Sequence, residues 1–229
     1  MDQRINFVFL HVGEDTRPNL LVKSIRYFFE KSYIYQCTDL ASKEVDGVDK
    51  VFRYDGDVKN IMRFRLEAFS SLNLEEKAIY LDTDMLVIKK FDIDISHCDA
   101  ILCKRSFDLD NLFHTSFRGM DLSEYQNMTL GDVYPFVACF TVTKSSAFWK
   151  EAFKILKSLD KKFHFWYGDQ EALKIIKAKN TFSIDTVDES IFACLPEQVD
   201  EFNLPNIIHF KGAERKLFML DLSAHMGLI

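Results

Sequence analysis

The run Ala78-Ile79-Tyr80-Leu81-Asp82-Thr83-Asp84-Met85-Leu86-Val87-Ile88 constrains this chain more than any other segment. It is apolar and β-prone on both sides of two carboxylates placed one residue apart. In an extended strand, residues i and i+2 face the same side. Asp82 and Asp84 are therefore expected to converge on one ligand where a strand leaves its sheet. Two carboxylates among apolar neighbours are costly unless a cation sits between them, and hard oxygen ligands suit manganese or magnesium.

The spacing alone is not distinctive, because Asp-x-Asp also occurs at Asp55/Asp57, Asp92/Asp94 and Asp108/Asp110. The flanks separate them. Asp55-Gly56-Asp57 reads as a turn, Asp108-Leu109-Asp110-Asn111 as polar loop, and Asp92-Ile93-Asp94 as an edge strand with its acids in water. Only Asp82 and Asp84 have burial-prone residues on both sides.

The rest of the chain reads as alternating strands and helices. Ile5–Val12 is a first strand, followed by a loop at 13–16 and a helix entered at Pro18 that carries Leu20, Leu21, Ile25, Phe28 and Phe29. Tyr33–Thr38 is a second strand. A strand-helix-strand opening is the usual start of a parallel sheet. Val58–Leu72 has helical apolar spacing, with Arg63 and Arg65 off the apolar line. Ala100–Cys103 and Val137–Thr143 are further strands. Ser145 or Ser146 is expected to cap a helix bearing Phe148, Trp149, Ala152, Phe153 and Leu156. Tyr167–Gln170 opens another helix, Thr181–Ile184 is a short strand, and Asn206–Phe210 is the last one. Residues 104–135 are irregular and are expected to form an insertion over the site. With no repeat or low-complexity linker, 1–229 is expected to be one α/β domain with a mainly parallel sheet.

Composition limits the function classes. The hydrophobic share is 48%, with 22 Phe, enough for a large core. A formal charge of −6 and an isoelectric point near 5.5 argue against nucleic acid as the main partner. The five cysteines show no paired spacing, and Cys37, Cys103 and Cys139 sit in apolar runs as core thiols. An odd count without CxxC suggests a reducing compartment. Asp2, Gln3 and Arg4 lead straight into a strand-like run with no leader, and no apolar stretch reaches the ~20 residues of a membrane span. The expected location is cytoplasmic, which leaves room for peripheral membrane association.

Three patches occur in order: Tyr80-Leu81-Asp82-Thr83-Asp84, then Tyr167-Gly168-Asp169-Gln170-Glu171-Ala172, then Ile207-Ile208-His209-Phe210-Lys211-Gly212. Together they resemble the GT-A (Rossmann-like) fold glycosyltransferases, above all the family 8-like nucleotide-diphospho-sugar transferases. The similarity runs from the first strand to about Lys216. The resemblance implies a mixed, mainly parallel sheet flanked by helices, and a metal-dependent transfer of a sugar from a nucleotide-diphosphate donor to a glycan or glycoconjugate hydroxyl, with retention favoured. It implies that Asp82, Asp84 and His209 hold Mn2+ (or Mg2+) on the donor diphosphate. It implies that Gly212 lets backbone approach the phosphates and that Arg215 or Lys216 contacts them. His11 and Val12 at the first strand's exit, Asp39 after the second, and Arg63 would lie at the nucleotide. Asp169 and Gln170 would face the sugar and acceptor. Trp166 and Tyr167 are stacking candidates beside them. The pattern departs from the family after His-x-x-Gly, where Leu217 and Phe218 follow Lys216 in place of Pro-Trp.

Each residue also has a plainer reading. His209 could be a core histidine, Asp169 a first-turn acid complementing a helix dipole, Asp39 a turn former, and Arg63 and Arg65 a solvated helix face. Two other functions compete. A haloacid-dehalogenase-like Mg-dependent phosphohydrolase also uses Asp-x-Asp, but on its first core strand. A non-catalytic nucleotide-sugar binder would need none of the acids for turnover. A nucleotidyltransferase would want a Gly-rich basic loop after the first strand, where this chain has the acidic Gly13-Glu14-Asp15.

Overall fold

Strands rich in Phe, Ile, Val and Tyr make the centre of a seven-stranded sheet in the computed structural model, which describes residues 4–229. The expectation of no leader rests in part on Asp2 and Gln3, which lie outside those residues. Along the chain come β1 (Asn6–Leu10), α1 (Arg17–Phe28), β2 (Tyr33–Thr38), β3 (Lys50–Arg53), α2 (Ile61–Ser71), β4 (Ala78–Leu81), β5 (Met85–Val87) and β6 (Ala100–Lys104). Then follow β7 (Ser116–Phe117), β8 (Met120–Asp121), α3 (Leu130–Val133), β9 (Phe136–Thr143), α4 (Ala147–Ser158), α5 (Lys162–Phe165) and α6 (Gly168–Lys179). The chain closes with β10 (Ile184–Asp188), α7 (Glu189–Phe192), β11 (Ile207–His209) and α8 (Arg215–His225).

The sheet order is β10-β6-β9-β4-β1-β2-β3. All pairings are parallel except those of β9, which runs antiparallel to β4 and β6. β4 and β9 are buried along their whole length, as expected of strands covered on both faces. On one face, α2, α4 and α6 pack over a core in which the Phe69, Tyr80 and Trp149 rings lie 4.8–5.1 Å apart. On the other face α1 contributes Leu21 and Ile25 to a core with Phe7, Ile79 and Phe140. Trp149 is thus a core residue. No helix among the described residues is long and apolar enough to cross a membrane.

The 78–88 run departs from expectation, because it is two strands in two sheets. β4 stops at Leu81, and β5 pairs antiparallel with β11 with Met85 opposite His209. Asp82 N–H donates to Cys139 O at 3.0 Å, and Phe210 N–H donates to Asp84 O at 2.8 Å. Between the two acids, the backbone therefore passes from the hydrogen-bonding edge of β9 to that of β11. Leu81 and Met85 are both buried in the core on the α1 face, although their strands pair in different sheets. Asp82 and Asp84 are brought together by the turn between those strands and not by strand alternation.

Other boundaries also move. The strand expected at 181–184 runs over 184–188, because the Phe182 ring instead packs on Phe148 at 5.5 Å. Ser146 precedes α4 but does not cap it; its hydroxyl accepts from Leu74 N–H at 2.8 Å. Residues 92–94 form no strand.

Candidate functional site

Asp82 and Asp84 leave the C-terminal edge of the sheet, where ligands bind in open α/β folds. His209, at the end of β11, comes in from the second sheet. One donor atom from each of Asp82, Asp84 and His209 lies within 4.8 Å of the others. His209 Nε2 is 3.4 Å from Asp84 Oδ1, and Lys216 Nζ is 3.3 Å from Asp84 Oδ2. His209 Nδ1 is buried with no hydrogen-bond partner. Burial opposes the charge on Asp84, but His209 and Lys216 outweigh it and hold the carboxyl well below its usual range. Burial likewise opposes protonation of His209, and contact with Cys139 and Asp84 outweighs it and raises the imidazole.

A second set of side chains is organised by Arg65, buried on α2. Its guanidinium donates to Asp82 Oδ1 at 2.8 Å, to Asp169 Oδ2 at 3.2 Å and to Ala138 O at 2.9 Å. Asp169 sits in the first turn of α6, with Oδ1 accepting from Gln170 N–H at 2.8 Å. Burial raises its carboxyl, and Arg65 opposes that shift. Gln170 Oε1 accepts from Arg105 at 2.9 Å, and Arg105 is anchored in turn on Tyr134 O at 2.8 Å.

The entry to α6 is tightly built. Tyr167 takes a left-handed φ of 60°, and a Cβ on Gly168 would lie 2.0 Å from Phe163 O. Only glycine lets the chain turn here and point Asp169 and Gln170 forward.

These residues face a cleft of about 670 Å³. Of the residues singled out in the sequence, Asp82, Asp84, Asp169, Gln170, His209, Gly212 and Lys216 line it, as do Trp166 and Tyr167. Gly212 has φ +89°, with nothing closer than 4.0 Å to where a Cβ would stand.

The other candidates lie elsewhere. His11 and Val12 follow β1 and Asp39 follows β2, on the same sheet edge but outside the cleft lining. His11 is buried, and Asp39 Oδ1 accepts from Ser42 N–H at 2.7 Å, closing a turn. Arg63 is turned away, 3.9 Å from Glu67 on the exposed side of α2. Residues two apart on a helix point to nearly opposite sides, so the arginine that reaches the acids is Arg65. Arg215 forks onto Glu197 at the protein surface, and Lys216 is the basic residue that meets Asp84.

The sequence reading missed Arg65, Arg105, Arg118 and Lys211, all of which line the cleft. Arg63 and Arg65 share the same apolar setting in 61–72, so no local signal marked Arg65 as the buried one. Arg105 and Arg118 sit in the irregular segment, where no periodicity assigns a face.

No family model matches the sequence, and no curated protein matches it. Solved structures do. A galactosyltransferase, LgtC, in complex with donor and acceptor sugar analogues is 14% identical, with a TM-score of 0.57 over 96% of this chain and 96% of that one. The glycosyltransferase GlyE of Streptococcus pneumoniae is 14% identical with a TM-score of 0.61, over 97% of this chain and 60% of GlyE. An active-site Gln-to-Glu variant of LgtC also matches, at 14% identity and a TM-score of 0.57 over 95% of this chain and 96% of that one. At this identity the likeness speaks for architecture, and the chain has the GT-A fold of these glycosyltransferases.

Proposed function

We propose that this protein is a metal-dependent glycosyltransferase, moving a sugar from a nucleotide-diphosphate donor to a glycan or glycoconjugate hydroxyl. The observation that carries the reading is the Asp82–Asp84–His209 cluster, set at the C-terminal edge of a GT-A sheet and opening on the cleft. The donor set fits a divalent cation. Two carboxylates and an imidazole converge, and the cations now resting on Asp84 mark where positive charge is favourable. Asp82, Asp84 and His209 would hold manganese or magnesium. When bound, the ion would offset charge developing on the leaving diphosphate.

The chain's own groups divide the remaining work. Lys216 would exchange its Asp84 contact for a phosphate oxygen, and the bare backbone at Gly212 would lie close to the same group. Both oxygens of Asp169 are already engaged by Arg65 and the Gln170 N–H. That favours a fixed negative charge near the anomeric centre over a mobile general base, and so favours retention. Gln170 has its oxygen on Arg105, which leaves its amide N–H groups to donate to a sugar hydroxyl. His11, Val12 and Asp39 would flank the nucleotide farther along the sheet edge. Residues 104–135 would select the acceptor, in a one-domain, cytoplasmic enzyme of glycan or polysaccharide assembly.

The phosphohydrolase reading wants its Asp-x-Asp on the first strand; here the pair follows β4, which counts against it. Calorimetric titration of UDP and GDP, each with and without manganese, tests the proposal. Binding that needs the metal and disappears in Asp82→Ala is expected. Absence of any metal-dependent nucleotide binding would reject it.

A further inference from the structure

The cleft's charges do not cancel. Four carboxylates line it: Asp82, Asp84, Asp108 and Asp169. Asp82 and Asp169 are taken by Arg65, and Asp84 by His209 and Lys216. Arg105, Arg118 and Lys211 also line it, and among the described residues none of the three makes an ion pair. Five cationic side chains, Arg65, Arg105, Arg118, Lys211 and Lys216, thus face four carboxylates, and a chain of net charge −6 keeps an excess of positive charge in this cleft. Low-dielectric walls focus such a field on whatever enters.

Arg118 is the best placed of these. It sits at the tip of the β7–β8 hairpin, where Arg118 and Gly119 have φ of +50° and +80°. Arginine is an unfavourable choice at a left-handed position, so the turn chemistry alone would not select it. The hairpin sets the guanidinium carbon 4.0 Å from the Trp166 ring centroid and 5.4 Å from that of Phe117. Those two rings lie 6.0 Å apart at 33°. A guanidinium held over an indole face by cation–π attraction still has N–H groups free to donate to a planar anion.

We propose that the acceptor carries an anionic group, a carboxylate or a phosphate, which Arg118 binds from the face of Trp166 while the sugar ring lies against the neighbouring aromatic surface. This rests on the glycosyltransferase reading above and adds the chemical class of its acceptor. Arg105 and Lys211 would raise the local potential without being the specific contact, since Arg105 is already committed to Tyr134 O and Gln170.

The test uses the full chain with UDP and manganese present, and titrates three matched probes: methyl glucoside, methyl glucuronide and glucose 6-phosphate, with the galacto series in parallel. Ligand-observed NMR gives the affinities. At least one charged probe is expected to bind tenfold or more tighter than its neutral match, and the one preferred distinguishes sugar acid from sugar phosphate. Arg118→Ala should bring charged and neutral probes to within about twofold of each other. Arg118→Gln, which keeps more of the side-chain stem while removing the charge, serves as the second variant should the first misfold. Equal binding of charged and neutral probes, a preference that survives both substitutions, or no binding of the charged probes would each overturn the proposal. Titration of wild-type chain with UDP and manganese alone reads the donor site separately, so the two readings can fail independently.

Discussion

Arg65 and Asp169, 104 residues apart in sequence, meet at 3.2 Å beneath the cleft, and both are nearly excluded from solvent. The contact ties α2 to the first turn of α6, and the same guanidinium reaches Asp82. Removing one partner of a buried pair leaves the other uncompensated, at a cost of about 3 kcal/mol or more. Arg65→Ala should therefore unfold at lower denaturant by that amount, with metal-dependent nucleotide binding weakened as Asp82 loses its anchor. Urea titration followed by fluorescence would show it. A stability within 1 kcal/mol of wild type would mean that Asp169 is solvated in the variant.

Asp84→Ala separates metal binding from folding. It removes one proposed ligand and the carboxylate that His209 and Lys216 contact. The expected result is a loss of manganese-dependent nucleotide affinity of more than tenfold, with the far-ultraviolet circular dichroism of wild type. An unfolded Asp84→Ala would instead make Asp84 a structural residue, holding its two cations together.

Alanine normally stabilises a helix relative to glycine by up to about 1 kcal/mol. At Gly168 the sign should reverse, because the added Cβ would meet a backbone oxygen at 2.0 Å. Overpacking of this kind costs about 1–3 kcal/mol, and it would also displace Asp169 and Gln170. Gly168→Ala is expected to lower the melting temperature and sugar-donor turnover together. A more stable variant would show that the α5–α6 corner yields.

All five cysteines are free and buried. Burial raises the Cys139 and Cys194 thiols to about 11 and pushes Cys37 and Cys103 up as well. Thiolate is the reactive form. Native protein at pH 8 should therefore give almost no reaction with a thiol reagent within minutes, and five equivalents after denaturation. A fast equivalent in the native state would locate an opening of the core.

Much of the sheet was legible in the sequence because its strands are continuous apolar runs. Tyr33–Thr38 has the bounds read from the residues alone, and the crossover through α1 follows from the strand-helix-strand order. Periodicity failed where tertiary demand overrode it. The 78–88 run looks like one strand because both halves are buried, and nothing local reveals that they are buried in different sheets. β3, with its KVFR sequence, is a half-exposed edge strand that carries too little apolar signal to be seen. On α2, Arg63 and Arg65 have the same local composition, and only the position of α6 decides which one is buried. Arg118 belongs to a hairpin of two-residue strands, below what any strand pattern can register.

The pairing of β5 with β11 has a consequence for biosynthesis. During synthesis, Asp82 and Asp84 emerge well before β11, the strand that carries His209. Until that strand docks, β5 has no partner strand, only the Val87 N–H bond to Ser24 Oγ, and the acids lack both His209 and Lys216. The nascent protein can close its large sheet while its acid–histidine cluster is still incomplete, so completion of the cluster waits on translation of β11.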